Sequence, residues 1–235
     1  MEIETPDYLK PDLRLISYTV PVEDLATDGI ETPVDLIAYC ARVSNPANQR
    51  NSHTAAGLIR YLVDNKHWSP LEMVDATFQV VTARDISRQA IRHRSFHVQE
   101  FSQRYAEVTE EQFCLRELRY QHPTNRQASV EPDLTNPQHD ADRQWWELAQ
   151  LEVLELVNRV YREALRRKVA KEVARAVLPE GLTLTRYYFK GTLRDWVHYL
   201  ALRGGGNGTQ KEHVQVALGI AKAISELFPL QLEAQ

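Results

Sequence analysis

Three segments of the chain carry the alternation of apolar and polar residues that is typical of a β-strand. The first covers residues 13–20, and a β-rich run covers residues 185–190. The second covers residues 74–82, and one face of it is apolar throughout. That face carries Val74, Ala76, Phe78 and Val80. These segments are the predicted strands of the sheet.

Helical patterns with recognisable starts lie between the first two strands. Thr32 followed by Pro33 is a favoured helix start, because threonine caps the backbone and proline fits the first position. That helix is predicted to reach about Val43. Ser52 is predicted to cap a second helix, which ends near Lys66.

The longest helical pattern lies in the second half of the chain, from Asp142 to about Lys168. Thr192 is predicted to cap a further helix, and a last helix is predicted to end at Phe228. The apolar stripe predicted for the longest helix consists of Trp146, Ala149, Val153, Val157, Val160 and Ala164.

A segment without periodicity, residues 121–139, contains three prolines and indicates a long loop. The order of strands and helices predicts an α+β fold. We expect a mixed or antiparallel sheet with helices packed against it and a long helix in the second half.

Composition narrows the class of protein. Apolar residues make up 43% of the chain and charged residues 26%, which is ordinary for a globular protein. The net charge of −4 disfavours nucleic acid as a partner. Residues 1–10 are polar rather than a signal peptide, and no apolar run is long enough to span a membrane. The cytoplasm is therefore the predicted compartment, without a membrane partner.

Cys40 and Cys114 have no metal-ligand or CxxC spacing, so neither a metal site nor a disulfide framework is predicted.

Candidate chemistry is concentrated in residues 92–105, which contain three arginines, two histidines and a glutamate. A helical pattern from Asp85 runs into this stretch. Residues three and four apart are neighbours on a helix, so Gln89, Arg92 and His93 are predicted to share one face.

After Phe96 the pattern changes to an extended chain, which would turn Glu100, Ser102 and Arg104 to one side. A helix end and a strand edge could then converge on one anionic ligand, and arginine binds phosphate oxygens two at a time. The alternative interpretation is a solvated basic helix end followed by a loop.

The spacing within this stretch is more specific than its charge. Arg92-His93-Arg94, then seven residues, then Ser102 with Arg104-Tyr105 two places on, closely resembles the signature of the flavin-dependent thymidylate synthases. Further segments similar to the family lie on both sides of the long loop, so residues 1–235 are predicted to form a single domain. These segments are 67–72, 174–179, 202–203 and 209–212.

The resemblance implies a reaction, its cofactors and an assembly. Methylenetetrahydrofolate would supply one carbon to C5 of dUMP, FAD would be the redox cofactor and NADPH the reductant, and tetrahydrofolate would be released. FAD would be bound non-covalently between the subunits of a homotetramer. The partners are thus small molecules and further copies of the chain.

The resemblance also implies roles for individual residues. The catalytic candidates are Arg203, Ser102 and His67. The dUMP-binding candidates are Gln89, Arg92, Glu100, Ser102, Gln103, Arg104, Arg175 and Arg203. The FAD-binding candidates are His67, Ser69, Arg92, His93, Arg94, Glu100, Arg194 and His198.

The chain departs from the family pattern at several positions. Met73 lies where many members have histidine, and Thr192 and His198 lie where many have asparagine. The glycine-rich segment 204–208 lies where the family often has a histidine. Two alternatives therefore stay open: a flavoprotein of other specificity, and a non-catalytic nucleotide- or RNA-binding protein that uses the same arginines.

No residue has the surroundings expected of a nucleophile. Methylation of uracil through a thiolate needs an activated cysteine. Cys40 lies in an apolar helix pattern, Cys114 lies in a predicted strand, and neither has a base at a recognisable spacing. Ser102 has only Glu100 and Arg104 close by, which are poor bases for a hydroxyl. We therefore predict that no protein nucleophile is used.

Overall fold

A four-stranded antiparallel sheet in the order β1-β2-β6-β3 forms the centre of the fold. The structure is a computed structural model and describes residues 6–205 and 208–228. A separate two-stranded hairpin is formed by β4 and β5. The strands are β1 (Asp12–Tyr18), β2 (Asp75–Ala83), β3 (His97–Glu100), β4 (Tyr120–Gln121), β5 (Ser129–Val130) and β6 (Leu184–Thr192).

Eight α-helices and four short 3₁₀ helices surround the sheet within the described residues. The α-helices are α1 (Glu23–Ala26), α2 (Pro33–Ala41), α3 (Ala55–Asp64), α4 (Arg84–Ala90), α5 (Pro137–Arg166), α6 (Lys171–Ala174), α7 (Leu193–Arg203) and α8 (Lys211–Leu227). The 3₁₀ helices are Pro46–Asn48, Ser69–Met73, Glu110–Gln112 and Arg175–Val177. The predicted α+β fold with an antiparallel sheet and a long second-half helix is confirmed.

The two central strands bury alternate side chains, as the alternation in the sequence predicts. In β2 the inward residues include Phe78 and Val80, which pair in register with Phe189 and Tyr187 of β6. Trp196 of α7 packs its ring against Phe78 and Phe189 at centroid distances of 5.1 and 5.2 Å. The main core lies between the sheet and helices that include α2, α3, α7 and α8, and a second cluster of buried residues includes Leu154 and Tyr161 of α5.

Two predicted helix starts are confirmed in detail. Thr32 and Asp35 form a capping box at the start of α2, and Thr192 and Asp195 form another at the start of α7. The predicted cap at Ser52 is wrong, because α3 follows Thr54 and has no side-chain cap. Residues 53–54 form a turn before the helix, so the helix begins later than the sequence indicates.

The predicted apolar stripe of the long helix is wrong in part. Val153 and Val160 are exposed, whereas Leu154 and Tyr161 are buried. Gln150 also lies on the buried face, where its amide exchanges hydrogen bonds of 2.7 and 3.0 Å with the backbone of residue 116. The helix has apolar residues on two opposite faces, and periodicity alone does not say which of them faces the chain's own core.

The remaining differences concern boundaries. The predicted loop 121–139 includes the hairpin β4–β5, and α5 begins within it at Pro137, after a side-chain cap from Asn136. Cys114 lies in no described strand, since its neighbours Phe113 and Leu115 form only isolated bridges. No helix within residues 6–205 and 208–228 is long and apolar enough to cross a membrane.

Candidate functional site

The motif stretch 92–105 wraps from the end of α4 around the edge strand β3. Helix α4 ends at Ala90, so the predicted shared helix face of Gln89, Arg92 and His93 is wrong. A turn follows, in which the backbone N–H of His93 donates to the carbonyl of Ala90. The first half of the motif is therefore presented by a turn and not by a helix.

Phe96 anchors this turn in the core. Its ring stacks on Phe189 at a centroid distance of 4.2 Å and meets Trp196 edge to face at 4.6 Å. Phe96 lies against Gly191 of β6, where an added Cβ would come within 2.4 Å of the Phe96 ring. The position of the motif thus depends on a missing side chain in the neighbouring strand.

The second half of the motif also differs from the prediction. Strand β3 ends at Glu100, and a turn begins at Ser102, whose carbonyl accepts from the backbone N–H groups of residues 105 and 106. Ser102 and Arg104 therefore do not extend the strand face of Glu100. The Ser102 hydroxyl accepts a 3.3 Å hydrogen bond from the backbone N–H of Arg104.

Glu100 lies in a dense set of protein donors. Its carboxylate accepts from the hydroxyls of Ser87 and Thr185 at 2.8 and 3.1 Å. Arg88 donates to the same carboxylate at 2.9 Å, and Arg84 lies 3.9 Å from it. Glu100 thereby fixes two arginines of α4.

Those two arginines line a cavity of about 430 Å³ next to the turn at Ser102. Gln103 also lines it, is only 5% exposed, and has an amide nitrogen without a hydrogen-bond partner among the described residues. Nη1 of Arg84 likewise lacks a hydrogen bond there, and Arg84 is 6% exposed. Buried donors are normally paired, so these two are candidates to donate to an acceptor at the cavity. The cavity is lined by Arg84, Arg88, Gln103, Glu172, Arg175, Ala176, Leu178 and Glu180.

Arg104 and Arg175 lie at this same cavity. Arg175 lines the cavity, and Arg104 donates to Glu172, another lining residue, at 3.0 Å. Arg104 is exposed, so this ion pair is weak and can be exchanged for a ligand at little cost. The structure therefore brings Gln103, Arg104 and Arg175 together.

A second group of candidates meets at the end of α7. Nε of Arg203 donates to Nε2 of His93 at 3.1 Å, and the His93 ring meets the Tyr199 ring edge to face at 5.0 Å. Burial, and then the charge of Arg203, lower the pKa of His93. Gln89 points to the same region, since its amide oxygen lies 3.4 Å from Nδ1 of His213.

A third group lies at the start of α7. The 3₁₀ helix Ser69–Met73 packs against α7, where Arg194 forms an ion pair with Glu72. The exposed ring of His198 meets Trp68 edge to face at 4.5 Å. His67 and Ser69 are exposed beside these residues in the chain.

Arg92 and Arg94 are the least constrained members of the motif. Both are exposed, and neither has a hydrogen bond or an ion pair in the part of the chain that the structure describes. Gly206 and Asn207 of the glycine-rich segment lie outside the described residues.

Sequence reasoning missed four residues of this region. Arg84 and Arg88 are spaced by four on one helix, and this repeat of arginine was the available signal. Tyr199 and His213 come together only when α7 packs on α8, so the sequence gave no comparable signal for them.

Comparison with known proteins gives one consistent result. The model of the family described as "Thymidylate synthase complementing protein" matches residues 26–230. A protein of Paramecium bursaria Chlorella virus 1 named "Probable flavin-dependent thymidylate synthase" is 44% identical over 216 residues, which cover 92% of this chain and 94% of that protein. The "Flavin-dependent thymidylate synthase" of Synechocystis is 42% identical over 219 residues, with coverage of 93% and 96%.

A solved structure is similar over nearly the whole chain. It is a UMP/dUMP methylase, PolB, from Streptomyces cacaoi, bound with 5-Br UMP. The TM-score is 0.77 and the sequence identity 25%, and the match covers 98% of this chain and 95% of that chain.

Proposed function

Because the chain belongs to the family of flavin-dependent thymidylate synthases, we propose that it converts dUMP to dTMP with 5,10-methylenetetrahydrofolate as the carbon donor. FAD is the proposed redox cofactor, NADPH the proposed reductant, and tetrahydrofolate the proposed folate product. The observation that carries the proposal is the cavity of about 430 Å³, which is lined by Arg84, Arg88 and Arg175 and by Gln103, whose amide nitrogen has no hydrogen-bond partner among the described residues.

This cavity suits the phosphate group of dUMP. A phosphate dianion accepts several hydrogen bonds, and its strongest protein partners are planar guanidinium groups. Arg88 and Arg175 supply such groups inside the cavity, and Arg104 supplies one at its rim through its contact with Glu172. In the proposal Gln103 and Arg84 complete the set of donors, and Ser102 contributes through its turn.

Arg203 is the proposed partner of the uracil ring. It stays protonated at all working pH values, so it stabilises negative charge that develops on the ring. Its contact with the neutral His93 fixes one edge of the guanidinium and leaves its other nitrogens available. Gln89 and Arg92 lie beside this pair in the chain and are the proposed further contacts of the nucleotide.

The residues proposed for FAD fit that group in their chemistry. The guanidinium groups of Arg92 and Arg94, without partners among the described residues, suit the pyrophosphate of a dinucleotide. When bound and reduced by NADPH, FAD would supply the electrons of the reductive methylation. In the proposal His93 and Glu100 hold the motif residues in position for FAD. The other proposed contacts lie around the start of α7 and are His67, Ser69, Arg194 and His198.

The surface of α5 supports the proposed homotetramer. Trp145 and Leu156 are 64% and 52% exposed, and they share one helix face with three further exposed apolar residues. That face lies opposite the side that packs on the chain's own core, so a second copy is its proposed cover. The three further residues are Leu148, Val153 and Val160.

The proposal is tested with purified protein incubated with FAD. We expect a yellow, non-covalent complex whose visible spectrum changes when dUMP is added. UMP, which differs from dUMP only by a ribose hydroxyl, is the matched ligand for comparison. Light scattering should give a tetramer. A protein that remains colourless and monomeric would overturn the proposal.

A pair of leucine substitutions tests the assembly separately. Leu156→Glu places a charge in the centre of the exposed apolar face of α5 and should dissociate the tetramer. Leu218→Glu, at a leucine of α8 with 45% exposure, is the matched control and should leave the assembly intact.

A further inference from the structure

Two buried polar side chains form a pair next to the motif, and the proposed reaction gives neither of them a role. The hydroxyl of Tyr199 on α7 lies 2.9 Å from Nε2 of His213 on α8. Tyr199 is 1% exposed and His213 is 0% exposed. Polar groups are expensive to bury, so a pair placed where apolar residues would fit indicates a specific use.

The pair continues to Gln89. Nδ1 of His213 lies 3.4 Å from the amide oxygen of Gln89, and the amide nitrogen of Gln89 donates to the side chain of Gln210 at 2.8 Å. An amide oxygen only accepts, so Nδ1 of His213 must carry the proton. A neutral imidazole has a single N–H, and Nε2 of His213 therefore accepts from the hydroxyl of Tyr199.

The ring of His213 stays neutral in this arrangement. Burial, with smaller contributions from Arg203 and His93, lowers the pKa of His213 to about 3. The positive charge of Arg203 disfavours a second proton on the ring. The tautomer set by Gln89, with the proton on Nδ1, is therefore the form present at neutral pH.

We propose that Tyr199 and His213 are positioning residues that hold the carboxamide of Gln89 in one orientation for dUMP. This inference rests on the proposed function. A flipped carboxamide would direct its N–H₂ group at the N–H of His213 and its oxygen at the oxygen of Gln210. The held orientation leaves one N–H and one lone pair of Gln89 for a pyrimidine nucleotide.

Two substitutions of His213 separate its two hydrogen bonds. Asparagine places its amide near the position of Nδ1 and keeps a donor for Gln89, while the contact with Tyr199 is lost. Glutamine reaches the position of Nε2 and keeps the contact with Tyr199, while the donor for Gln89 is lost. The two variants have similar polarity, so each controls for the other.

We expect His213→Gln to raise the Kd and KM for dUMP about five- to tenfold, which corresponds to one lost hydrogen bond. His213→Asn should change both by about twofold or less. In both variants kcat at saturating dUMP and the absorbance of bound FAD should remain those of the parent. A purely structural role would instead lower thermal stability, FAD content and kcat together.

The inference is overturned if His213→Gln binds dUMP like the parent, or if both variants weaken dUMP equally. Should His213→Gln fail to fold, Tyr199→Phe removes only a hydroxyl and should raise the dUMP Kd about threefold. An unchanged Kd for dUMP in Tyr199→Phe would also overturn the inference.

Failure of the proposed function itself gives a different result, because the parent protein would then not bind dUMP. In that case ¹⁵N-histidine NMR decides the positioning inference. The signals of His213 are those that disappear in His213→Asn, and we expect them to be those of a neutral imidazole with the proton on Nδ1. Signals of the other tautomer, with the proton on Nε2, that disappear in His213→Asn would overturn the inference.

Discussion

Nε of Arg203 donates a hydrogen bond of 3.1 Å to Nε2 of His93 and thereby decides the state of that histidine. A guanidinium group only donates, so Nε2 of His93 must be an unprotonated acceptor. The proton of the neutral ring is then on Nδ1, which faces away from Arg203. The histidine of the motif is thus a neutral donor, and Arg203 keeps its full charge for the substrate.

Two neutral histidines, the half-buried His93 and the buried His213, predict that the free energy of unfolding falls in mild acid. His93 and His213 both have lowered pKa values, and that of His213 is about 3. An unfolded histidine has a pKa near 6.5, so below that pH the unfolded state binds more protons and gains stability. His213 alone should cost on the order of 2 kcal/mol between pH 7 and pH 5.

Urea unfolding at pH 7, 6 and 5, at one protein concentration, measures this loss. His213→Asn should have a shallower dependence on pH, because it removes the larger of the two contributions. Carboxylates contribute little to the change in the free energy of unfolding between pH 7 and pH 5, since unfolded carboxyl groups titrate mainly below about pH 4.5. An unchanged slope in the variant would contradict the assignment.

Arg104 should matter for the nucleotide and little for stability. Its ion pair with Glu172 is exposed, so its loss should change the free energy of unfolding by less than about 0.5 kcal/mol. A charge-assisted contact with phosphate is worth about 1.5–3 kcal/mol. Arg104→Ala should therefore raise the Kd for dUMP ten- to a hundredfold, while the absorbance of FAD persists.

Arg104→Lys should restore the affinity only in part, because lysine lacks the planar fork. Arg166→Ala is the matched control, since Arg166 is another exposed arginine in an ion pair, with Glu163 on α5. If Arg104→Ala and Arg166→Ala bind dUMP with equal affinity, Arg104 is not part of the dUMP site.

Replacing Gln103 should have opposite effects on the stability of the protein and on its affinity for dUMP. Its amide nitrogen is buried without a partner among the described residues, which costs the unliganded protein free energy. Gln103→Met keeps the length of the side chain and should leave unfolding unchanged or raise its midpoint. The same variant should weaken dUMP about fivefold or more, as titration of the flavin spectrum would show. A stability loss with unchanged dUMP binding would mean that the amide serves the fold.

Elements with strong local signals could be predicted from the sequence. Alternation predicted the buried face of β2, and the capping residues Thr32 and Thr192 marked two helix starts. The end of α4 was not predictable in the same way. It is decided by Phe96, which enters the core and draws the chain into a turn after Ala90. That contact is tertiary and has no periodic signature.

The candidate site was predictable as a list of residues and not as an arrangement. The family resemblance identified Arg104 and Gln89, but the side chains that contact them come from distant segments. Glu172 and His213 are such partners, and nothing in the sequence near the motif points to them. The same limit applied to α5, where two apolar faces competed and only packing selected one.

Gly191 should be needed for the position of the motif. A Cβ at this position would lie 2.4 Å from the ring of Phe96, and a ring stacked on Phe189 cannot move freely. Gly191→Ala should lower the free energy of unfolding by about 1–3 kcal/mol through overpacking, and it should weaken FAD and dUMP by displacing the turn. Denaturant unfolding and FAD titration measure the two effects.

A second substitution distinguishes a clash from a backbone effect. Phe96→Leu removes ring atoms at the point of contact, so the double variant Gly191→Ala/Phe96→Leu should be less destabilised than the sum of the two single variants. Additive losses would show that Gly191 is required for its backbone and not for the space it leaves.

The two cysteines are poor candidates for a nucleophile, and the structure strengthens this prediction. Burial raises the pKa of Cys40, and burial with nearby carboxylates raises the pKa of Cys114 to about 12. A thiol with such a pKa is almost entirely protonated at neutral pH, and the thiolate is the reactive form. The hydroxyl of Ser102 accepts from a backbone N–H and has no base as a partner among the described residues.

We therefore expect the double variant Cys40→Ala/Cys114→Ala to turn over dUMP at a rate close to the parent. The assay contains methylenetetrahydrofolate, FAD and NADPH, and chromatography identifies the folate product. If FAD supplies the electrons, the folate gives up only its one-carbon unit and leaves as tetrahydrofolate. Retained FAD absorbance and an unchanged unfolding midpoint show that the variant is folded. Loss of turnover in such a folded variant would restore a cysteine to the mechanism, and dihydrofolate as the product would mean that the folate itself is the reductant.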